Sequence, residues 1–289
     1  MPRIRRAEEG DLPDAAEIFA AACGRLIEEY HPADRPYLPL DPAERLPMYR
    51  HLLGTGAFFI AEDPGPVGFA SAVIRDGVWF LSQLWVHPDH QAGGLGGALL
   101  DEALEWGRGC SAFAVLSSVH PGARTLYLRR SMFPRWEEND MGGDGGGDAP
   151  PGTRPLHADD DAWVAELDRV ARGFARPEDH ALWRRTGTGV AVERDGVPLG
   201  YAYVGSGPGG KRRVGPGAVR HPRDMPVLLR AALAAIGSGP VRVQVPSTNA
   251  AAVNELIRLG FRWYGSSAFL ASRPLSDGST YLSSGGALG

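Results

Sequence analysis

Residues 87–100, HPDHQAGGLGGALL, decide the fold of this chain. The preceding residues 78–86, VWFLSQLWV, are mostly apolar and predict a strand. After the glycines, Leu99, Leu100 and Ala103 recur at the spacing of one buried helix face. Glycines allow positive φ, and the free N–H groups of a first helical turn attract an anion. The sequence therefore predicts an anion-binding loop between a strand and a helix.

The spacing within the loop narrows the choice of ligand. Gln91-Ala92-Gly93-Gly94-Leu95-Gly96 resembles the Gln/Arg-x-x-Gly-x-Gly/Ala signature of the GNAT family of acyl-CoA-dependent N-acetyltransferases. Leu84-Trp85-Val86-His87-Pro88 resembles the strand end that precedes this signature in the family. The loop lacks the closing Gly-Lys-Ser/Thr of a Walker A motif and the Gly-x-Gly-x-x-Gly pattern of a dinucleotide-binding fingerprint.

Length and composition limit the class of protein. A chain of 289 residues accommodates two domains of ordinary size, and 43% hydrophobic residues are enough for packed cores. The net charge of −4 argues against a general nucleic-acid or membrane-surface binder. No apolar run approaches the roughly 18 residues of a membrane span, and the N-terminus does not resemble a secretory signal. We therefore expect a cytoplasmic protein that binds neither nucleic acid nor membranes.

The order of predicted elements occurs twice, and it resembles the GNAT fold used twice. The resemblance implies an α/β fold (α+β, around a mixed sheet) with two tandem GNAT-like domains. Residues 142–152, GGDGGGDAPPG, contain almost no apolar side chains and predict a flexible linker. The predicted domains are residues 1–141, which carry the glycine loop, and residues 153–275. A tail rich in serine and glycine, residues 276–289, is expected to be loosely ordered.

The second half lacks the glycine loop. Residues 219–229, VRHPRDMPVLL, cover the corresponding junction, but six positions separate Pro222 from Leu228 where eleven separate Pro88 from Leu99. The missing residues are the glycine-bearing ones, and the prolines of this stretch remove N–H donors. A pyrophosphate has little to bind without a nest of free amides. We therefore expect the C-terminal domain to be a degenerate copy that has lost cofactor binding.

The resemblance implies acetyl-CoA as co-substrate and an amine as acceptor. It places the pyrophosphate on the loop amides and the pantetheine arm against the end of the preceding strand, so that the thioester lies beside the amine. The cofactor-binding residues that it implies are Leu84, Trp85, Val86, Gln91, Ala92, Gly93, Gly94, Leu95, Gly96 and Gly97.

A later family motif supplies two candidate catalytic residues, in the segment 120–127. Tyr127 matches the tyrosine that the resemblance places near the cofactor sulfur, where a phenol can protonate the departing thiolate. His120 stands at the position of the motif's asparagine, and its reference pKa of about 6.5 suits a general base. In the second half, residues 249–261 keep the asparagine but have Leu256 at the tyrosine position.

The identity of the base is open at this point. Ser82 and Gln83 occupy the strand positions where many family members carry an acid, and neither is a base near neutral pH. Glu28, Glu29 and His31 fall in a region that lines the acceptor site in relatives, although a solvated surface role is the simpler interpretation of each. An ordered water could also remove the proton from the amine.

The histidines of the loop do not predict a metal site. His87, Asp89 and His90 have no further ligands at a suitable spacing, and their loop context explains them better. We therefore expect no metal.

The sequence thus favours an acetyl-CoA-dependent N-acetyltransferase, an acyltransferase of the EC 2.3.1 type, that is active in the N-terminal domain. It would move an acetyl group by direct transfer to the amine of a small molecule or peptide. The C-terminal domain would complete the fold, shape the acceptor site or mediate association, for example as a homodimer. The alternative is a non-catalytic, acetyl-CoA-binding regulatory protein, with which the absence of a strand acid is compatible.

Overall fold

Two similar runs of elements follow each other along the chain. The computed structural model describes residues 2–288; Met1 and Gly289, where the predicted first domain begins and the predicted tail ends, lie outside the described residues. The N-terminal half contains β1 (Arg3–Arg6), α1 (Leu12–Tyr30), α2 (Leu46–Thr55), β2 (Gly56–Glu62), β3 (Pro66–Arg75), β4 (Val78–Val86), α3 (Leu95–Trp106), β5 (Ala112–Ser117), α4 (Pro121–Leu128) and β6 (Phe133–Gly145). The C-terminal half contains β7 (Thr153–Pro155), α5 (Asp161–Arg172), α6 (Pro177–Thr186), β8 (Thr188–Arg194), β9 (Val197–Ser206), β10 (Arg212–Val219), α7 (Met225–Ile236), β11 (Gly239–Pro246), α8 (Ala250–Arg258), β12 (Arg262–Ala271) and β13 (Tyr281–Leu282).

All these strands join one mixed sheet, which confirms the predicted fold class. The order is β1-β2-β3-β4-β5-β12-β6-β11-β10-β9-β8-β7, and β13 pairs with β10. The first four strands are antiparallel, whereas β4 pairs with β5 in parallel. In the second half β10 pairs with β11 in parallel in the same way. No helix in the described part of the chain is both long and apolar enough to cross a membrane.

The two halves exchange strands at the centre of the sheet. β12, from the C-terminal half, pairs with β5, and β6, from the N-terminal half, pairs with β11. β6 and β12 also pair with each other along most of their length. Each half therefore depends on a strand of the other to satisfy the backbone hydrogen bonds of its last parallel strand.

The helices cover both faces of this sheet. Side chains of α1, α2, α5 and α6 share a single apolar core on one face, which runs through both halves. On the other face α3 and Tyr127 of α4 pack over the N-terminal strands, while α7 and α8 pack over the C-terminal strands. Strand alternation produces this division: in β2, Phe58 and Ile60 face the shared core, and Phe59 faces α3.

A buried ion-pair cluster also joins the halves. Asp179, on α6, accepts from Arg75 Nη2 at 2.7 Å and lies 2.7 Å from His51 Nε2. All three side chains are nearly inaccessible to solvent. Loss of one partner would leave a buried charge without compensation, a change that costs about 3–5 kcal/mol in comparable sites.

Part of the predicted linker, residues 142–152, is strand rather than flexible chain, so this expectation was wrong for its first four residues. A Cβ on Gly142 would lie 2.6 Å from the Tyr264 ring, and one on Gly143 would lie 2.5 Å from the Phe261 ring. The glycines are thus required for close packing against aromatic rings, and composition alone cannot distinguish this from flexibility. The division into domains at this point stays a proposal.

The predicted tail, residues 276–289, is also better ordered than its composition suggests. Within it, Tyr281 and Leu282 form β13 and are buried against the shared sheet. Tyr281 Oη accepts from Arg176 Nη2 at 2.8 Å, and Asn249 Nδ2 donates to the Tyr281 carbonyl at 3.0 Å. The expectation of a loose tail was therefore wrong for this part, because two hydrophobic residues anchor it between polar ones.

We predict that neither half folds alone. Residues 1–152 would lose β12 from beside β5, and residues 153–289 would lose β6 from beside β11, so each would expose unpaired strand edges. Each fragment should lack a dispersed NMR spectrum, whereas co-expression of the two should restore a native complex. A well-dispersed spectrum of residues 1–152 on their own would show that this half folds without β12 and would contradict the prediction.

Candidate active site

The glycine loop between β4 and α3 has the backbone shape of an anion cradle. Ala92 and Gly94 have φ values of 68° and 82°, and Gly94 is the N-cap residue of α3. Gln91 Nε2 donates to the Val86 carbonyl at 3.0 Å, which ties the start of the loop to the end of β4. A Cβ on Gly93 or Gly94 would meet nothing within 4 Å. Open space therefore lies in front of this backbone.

The loop also presents unused donors. Among the described residues, the amides of Gly94, Leu95 and Gly96 have no hydrogen-bond acceptor, whereas those of Gly97 and Ala98 donate to the Gly94 carbonyl. Three consecutive free N–H groups at the start of a helix form a site for phosphate oxygens, aided by the helix dipole. The geometry fits a pyrophosphate at this position.

Next to the loop, β4 and β5 separate. The strands pair in parallel from Val78 to Leu81, and in the described chain the pairing does not continue beyond Leu81. A bulge follows, because Ser71 of β3 lies opposite Gln83 whereas its neighbour lies opposite Leu81, so that Ser82 is the extra residue. The end of β4, which carries Leu84, Trp85 and Val86, therefore has a free edge toward β5. An extended ligand could add to this edge as a strand would.

One cavity of about 1260 Å³ joins the loop, the open edge and the centre of the molecule. Of the cofactor-binding residues predicted from sequence, Gly93 alone is not part of its wall. The predicted residues that line it are Leu84, Trp85, Val86, Gln91, Ala92, Gly94, Leu95, Gly96, Gly97, His120 and Tyr127. The tertiary structure thus brings the two sequence motifs to one cleft.

Tyr127 lies on α4 and faces this cavity with only 5% of its surface exposed. Burial raises the pKa of Tyr127. The phenol consequently stays protonated at neutral pH and is able to donate a proton.

His120 is the N-cap residue of α4. Its Nδ1 accepts from the Ala123 amide at 3.3 Å. Asn249 caps α8 in the same way, with Oδ1 accepting from the Ala252 amide at 3.0 Å. The histidine thus performs the capping role of the asparagine that stands there in the other half. With Nδ1 acting as acceptor, a neutral imidazole carries its proton on Nε2, so a base role would require a change of tautomer.

The other candidate bases are spread around the cleft. Glu29 and His31 line the cavity, whereas Glu28 lies outside its wall and is exposed. Gln83 Oε1 accepts from Trp85 Nε1 at 2.7 Å, and the buried Ser82 hydroxyl has no hydrogen-bond partner within the described part of the chain. None of these contacts identifies a base.

The loop histidines make local contacts in the structure. His87 Nδ1 accepts weakly from the Asp89 amide at 3.4 Å, and the His87 and His90 rings are 6.2 Å apart. Within residues 2–288 no cluster of three or more His, Cys, Asp or Glu side chains could hold a metal ion.

The corresponding junction of the C-terminal half differs in charge as well as in length. Asp224 is the N-cap residue of α7, is 2% exposed and has one carboxylate oxygen without a hydrogen-bond partner among the described residues. Arg194 lies 3.6 Å from its other oxygen. The Asp224 side chain makes no capping hydrogen bond to the helix amides, but a buried carboxylate at this position repels a second anion.

Sequence reasoning missed the charged wall that the C-terminal half contributes to the cavity. Lys211 Nζ and Arg242 Nη2 contact the carboxylate of Asp34 at 2.7 and 3.0 Å, and Arg213 lies beside them. Lys211 is the only lysine of the chain, which is the one signal that sequence offered. Its significance depends on the approach of two halves that are far apart in sequence.

Comparison with known proteins agrees with this geometry. Residues 22–132 match the family described as "Acetyltransferase (GNAT) family". This region contains the glycine loop, the open edge of β4, His120 and Tyr127. No curated protein sequence matches the chain.

Solved structures match over nearly the whole chain. A putative acetyltransferase from Pyrococcus horikoshii is 18% identical with a TM-score of 0.79, and the match covers 100% of this chain and 96% of that one. A GCN5-related N-acetyltransferase from Sphaerobacter thermophilus is 18% identical with a TM-score of 0.64, covering 96% and 98%. A tandem GNAT protein from the clavulanic acid biosynthesis pathway is 16% identical with a TM-score of 0.63, covering 95% and 99%. At these identities the likeness concerns the fold.

The fold similarity extends beyond the family match. The family match contains most of the cavity wall of the N-terminal half, and the structural matches also cover the C-terminal half. Residues 22–132 therefore resemble the GNAT acetyltransferase family in sequence, and the chain as a whole shares the fold of a tandem GNAT protein.

Proposed function

We propose that this protein transfers an acetyl group from acetyl-CoA directly to an amine, at a single site in the N-terminal half. The proposal rests on the observation that two features lie in the wall of one cavity. The free amides of Gly94, Leu95 and Gly96 suit the pyrophosphate, and the open edge of β4 suits the pantetheine arm. The C-terminal half is a degenerate copy, because Asp224 occupies its equivalent helix start.

The residues of the cleft can supply the chemistry of this transfer. The amine nitrogen forms a bond to the thioester carbonyl carbon, the carbon–sulfur bond breaks, and the sulfur takes a proton. Tyr127 is the proposed donor of that proton, since burial keeps its phenol protonated. The proton released by the amine passes to His120 or to water. The cavity itself contributes by holding the two reactants side by side.

The acceptor is an amine on a small molecule or peptide. The C-terminal half would shape its binding site, because the cavity wall includes residues of β10 and β11. A homodimer and a cytoplasmic location stay predictions.

We predict that the intact protein binds one acetyl-CoA per chain and that Gly94→Val weakens this binding about 10- to 100-fold. The side chain would fill the open space before the free amides, and hydrogen bonds to charged groups contribute about 1.5–3 kcal/mol each. Calorimetric titration would measure both the stoichiometry and the affinity.

Gly109→Val is the matched control for this titration. Gly109 also has a positive φ, of 95°, and open space around its Cβ, so this variant suffers the same backbone strain outside the cleft. Two sites per chain would contradict the degenerate second half. Failure of the wild-type protein to bind acetyl-CoA would overturn the proposed function.

Tyr127→Phe should lower kcat about 100-fold and leave the affinity for acetyl-CoA nearly unchanged, because the phenol is needed to protonate the thiolate. Release of free thiol in the presence of a panel of amines measures kcat, and calorimetry measures the affinity. An unchanged kcat would exclude Tyr127 as the acid. Binding of acetyl-CoA without turnover for any amine would favour the non-catalytic alternative.

His120→Asn separates the capping role of this residue from a role as base. Asparagine keeps the cap, so the melting temperature should stay constant, whereas His120→Ala should cost about 1 kcal/mol of stability. We expect His120→Asn to retain most of the activity, because Nδ1 of the histidine is engaged with Ala123. A fall in kcat/KM of about 100-fold at constant melting temperature would instead identify the imidazole as the base.

A further inference from the structure

The wall of the cavity contains more positive charge than its own carboxylates neutralise. This wall has one more cationic side chain than carboxylates when the histidines are neutral. The cationic residues are Arg25, Arg45, Lys211, Arg213 and Arg242, and the acidic residues are Glu29, Asp34, Glu44 and Asp140.

Three of these four carboxylates, those of Asp34, Asp140 and Glu44, are already engaged. Asp34 accepts from Lys211 and Arg242, and Asp140 lies 3.7 Å from Arg242. Glu44 accepts from the Gly209 amide at 2.6 Å, which draws the connection between β9 and β10 onto the N-terminal half. Three guanidinium groups of the wall have no carboxylate partner among the described residues, and of these Arg25 is exposed to solvent whereas Arg45 and Arg213 are shielded from it.

Arg45 is the first of these groups, and the Tyr49 hydroxyl is a polar neighbour of its guanidinium. Arg45 is 9% exposed, its Nε is buried without a hydrogen-bond partner, and no carboxylate lies within ion-pair distance among the described residues. Its guanidinium instead stacks 4.6 Å from the ring centroid of Phe19. A buried charge beside two aromatic rings and a neutral hydroxyl is costly unless an anion completes the site.

Arg213 is the second such group. Its Nη2 donates to Gln244 Oε1 at 2.8 Å. Among residues 2–288, no carboxylate lies close enough to Arg213 to form an ion pair. Burial lowers the pKa of Arg213, while the charges of Asp140 and Asp34 raise it and that of Arg45 lowers it. Arg45 and Arg213 thus repel each other across the same cavity. Gly285, with a φ of 98°, lets the C-terminal segment lie directly over the Arg213 guanidinium.

We propose that Arg45 and Arg213 together bind an anionic group of the acceptor, so that the substrate is an amine that also carries a carboxylate. This inference rests on the proposed function and names the substrate class of that site. A planar guanidinium donates two parallel hydrogen bonds to a carboxylate. The excess of one positive charge matches a carboxylate better than a dianionic phosphate. The glycine loop, which belongs to the cofactor end, lies elsewhere on the wall of the same cavity.

The test measures binding without turnover. Protein saturated with CoA is titrated calorimetrically with pairs of amines that differ by one carboxylate: glycine and methylamine, phenylalanine and phenethylamine, tryptophan and tryptamine. In at least one pair the carboxylate-bearing member should bind about 10- to 100-fold more tightly, as expected for hydrogen bonds to a charged group. Equal binding within every pair, or no binding of any carboxylate-bearing member, would overturn the proposal.

Substitutions test whether Arg45 and Arg213 cause the preference for carboxylate-bearing amines. Arg213→Met and Arg45→Met should each remove it, and Arg213→Lys should keep only part of it because the planar fork is lost. Arg223→Met is the matched control, since Arg223 is exposed on the same half and the change in net charge is identical. A preference that survives both methionine variants would also overturn the proposal. Circular dichroism and melting temperature establish that each variant is folded.

The outcome is separable from that of the proposed function. CoA binding and the carboxylate preference are both measured in the absence of acetyl transfer. A protein that binds CoA and prefers carboxylates but has no turnover would retain this inference and lose the catalytic proposal. Weaker CoA binding in Arg213→Met, with the preference intact, would instead assign Arg213 to the cofactor.

Discussion

The exchange of β6 and β12 is the constraint on which the rest of the structure depends. Each strand completes the sheet of the opposite half, and the two pair with each other at the centre. The apolar core of α1, α2, α5 and α6 then runs through both halves without interruption. The buried contacts of Asp179 with Arg75 and His51 add a polar link between the halves. The relative position of the halves is therefore a property of the fold rather than of a linker.

This constraint explains how an open edge can persist inside a large sheet. β12 supplies the partner that β5 needs on one side, so β5 is held in place even where it leaves β4. The bulge at Ser82 directs the end of β4 away from β5. The resulting gap lies beside the free amides of α3, and the two features share one cavity. A closed, fully paired sheet would have no room for an extended ligand.

The halves have diverged in chemistry while keeping one architecture. In the N-terminal half the helix start is open and formed by glycines; in the C-terminal half Asp224 fills it. The C-terminal half instead contributes Lys211, Arg213 and Arg242 to the wall of the other half's cavity. One copy thus retains the cradle, and the other supplies charge at the opposite end of the cleft. The strand exchange makes this division of roles feasible, because it fixes both walls relative to each other.

The sequence by itself determined the local features: the strand, glycine loop and helix around Gly94, the repeated order of elements, and the shortened junction near Pro222. These depend on periodicity, glycine conformation and spacing, which neighbouring residues specify. Only the tertiary structure decided the strand exchange, the packing of Gly142 against an aromatic ring and the presence of Arg45 and Arg213 on the wall of one cavity. Pairing between distant strands is set by the complementarity of whole surfaces, and a glycine-rich segment has the same composition whether it is flexible or tightly packed.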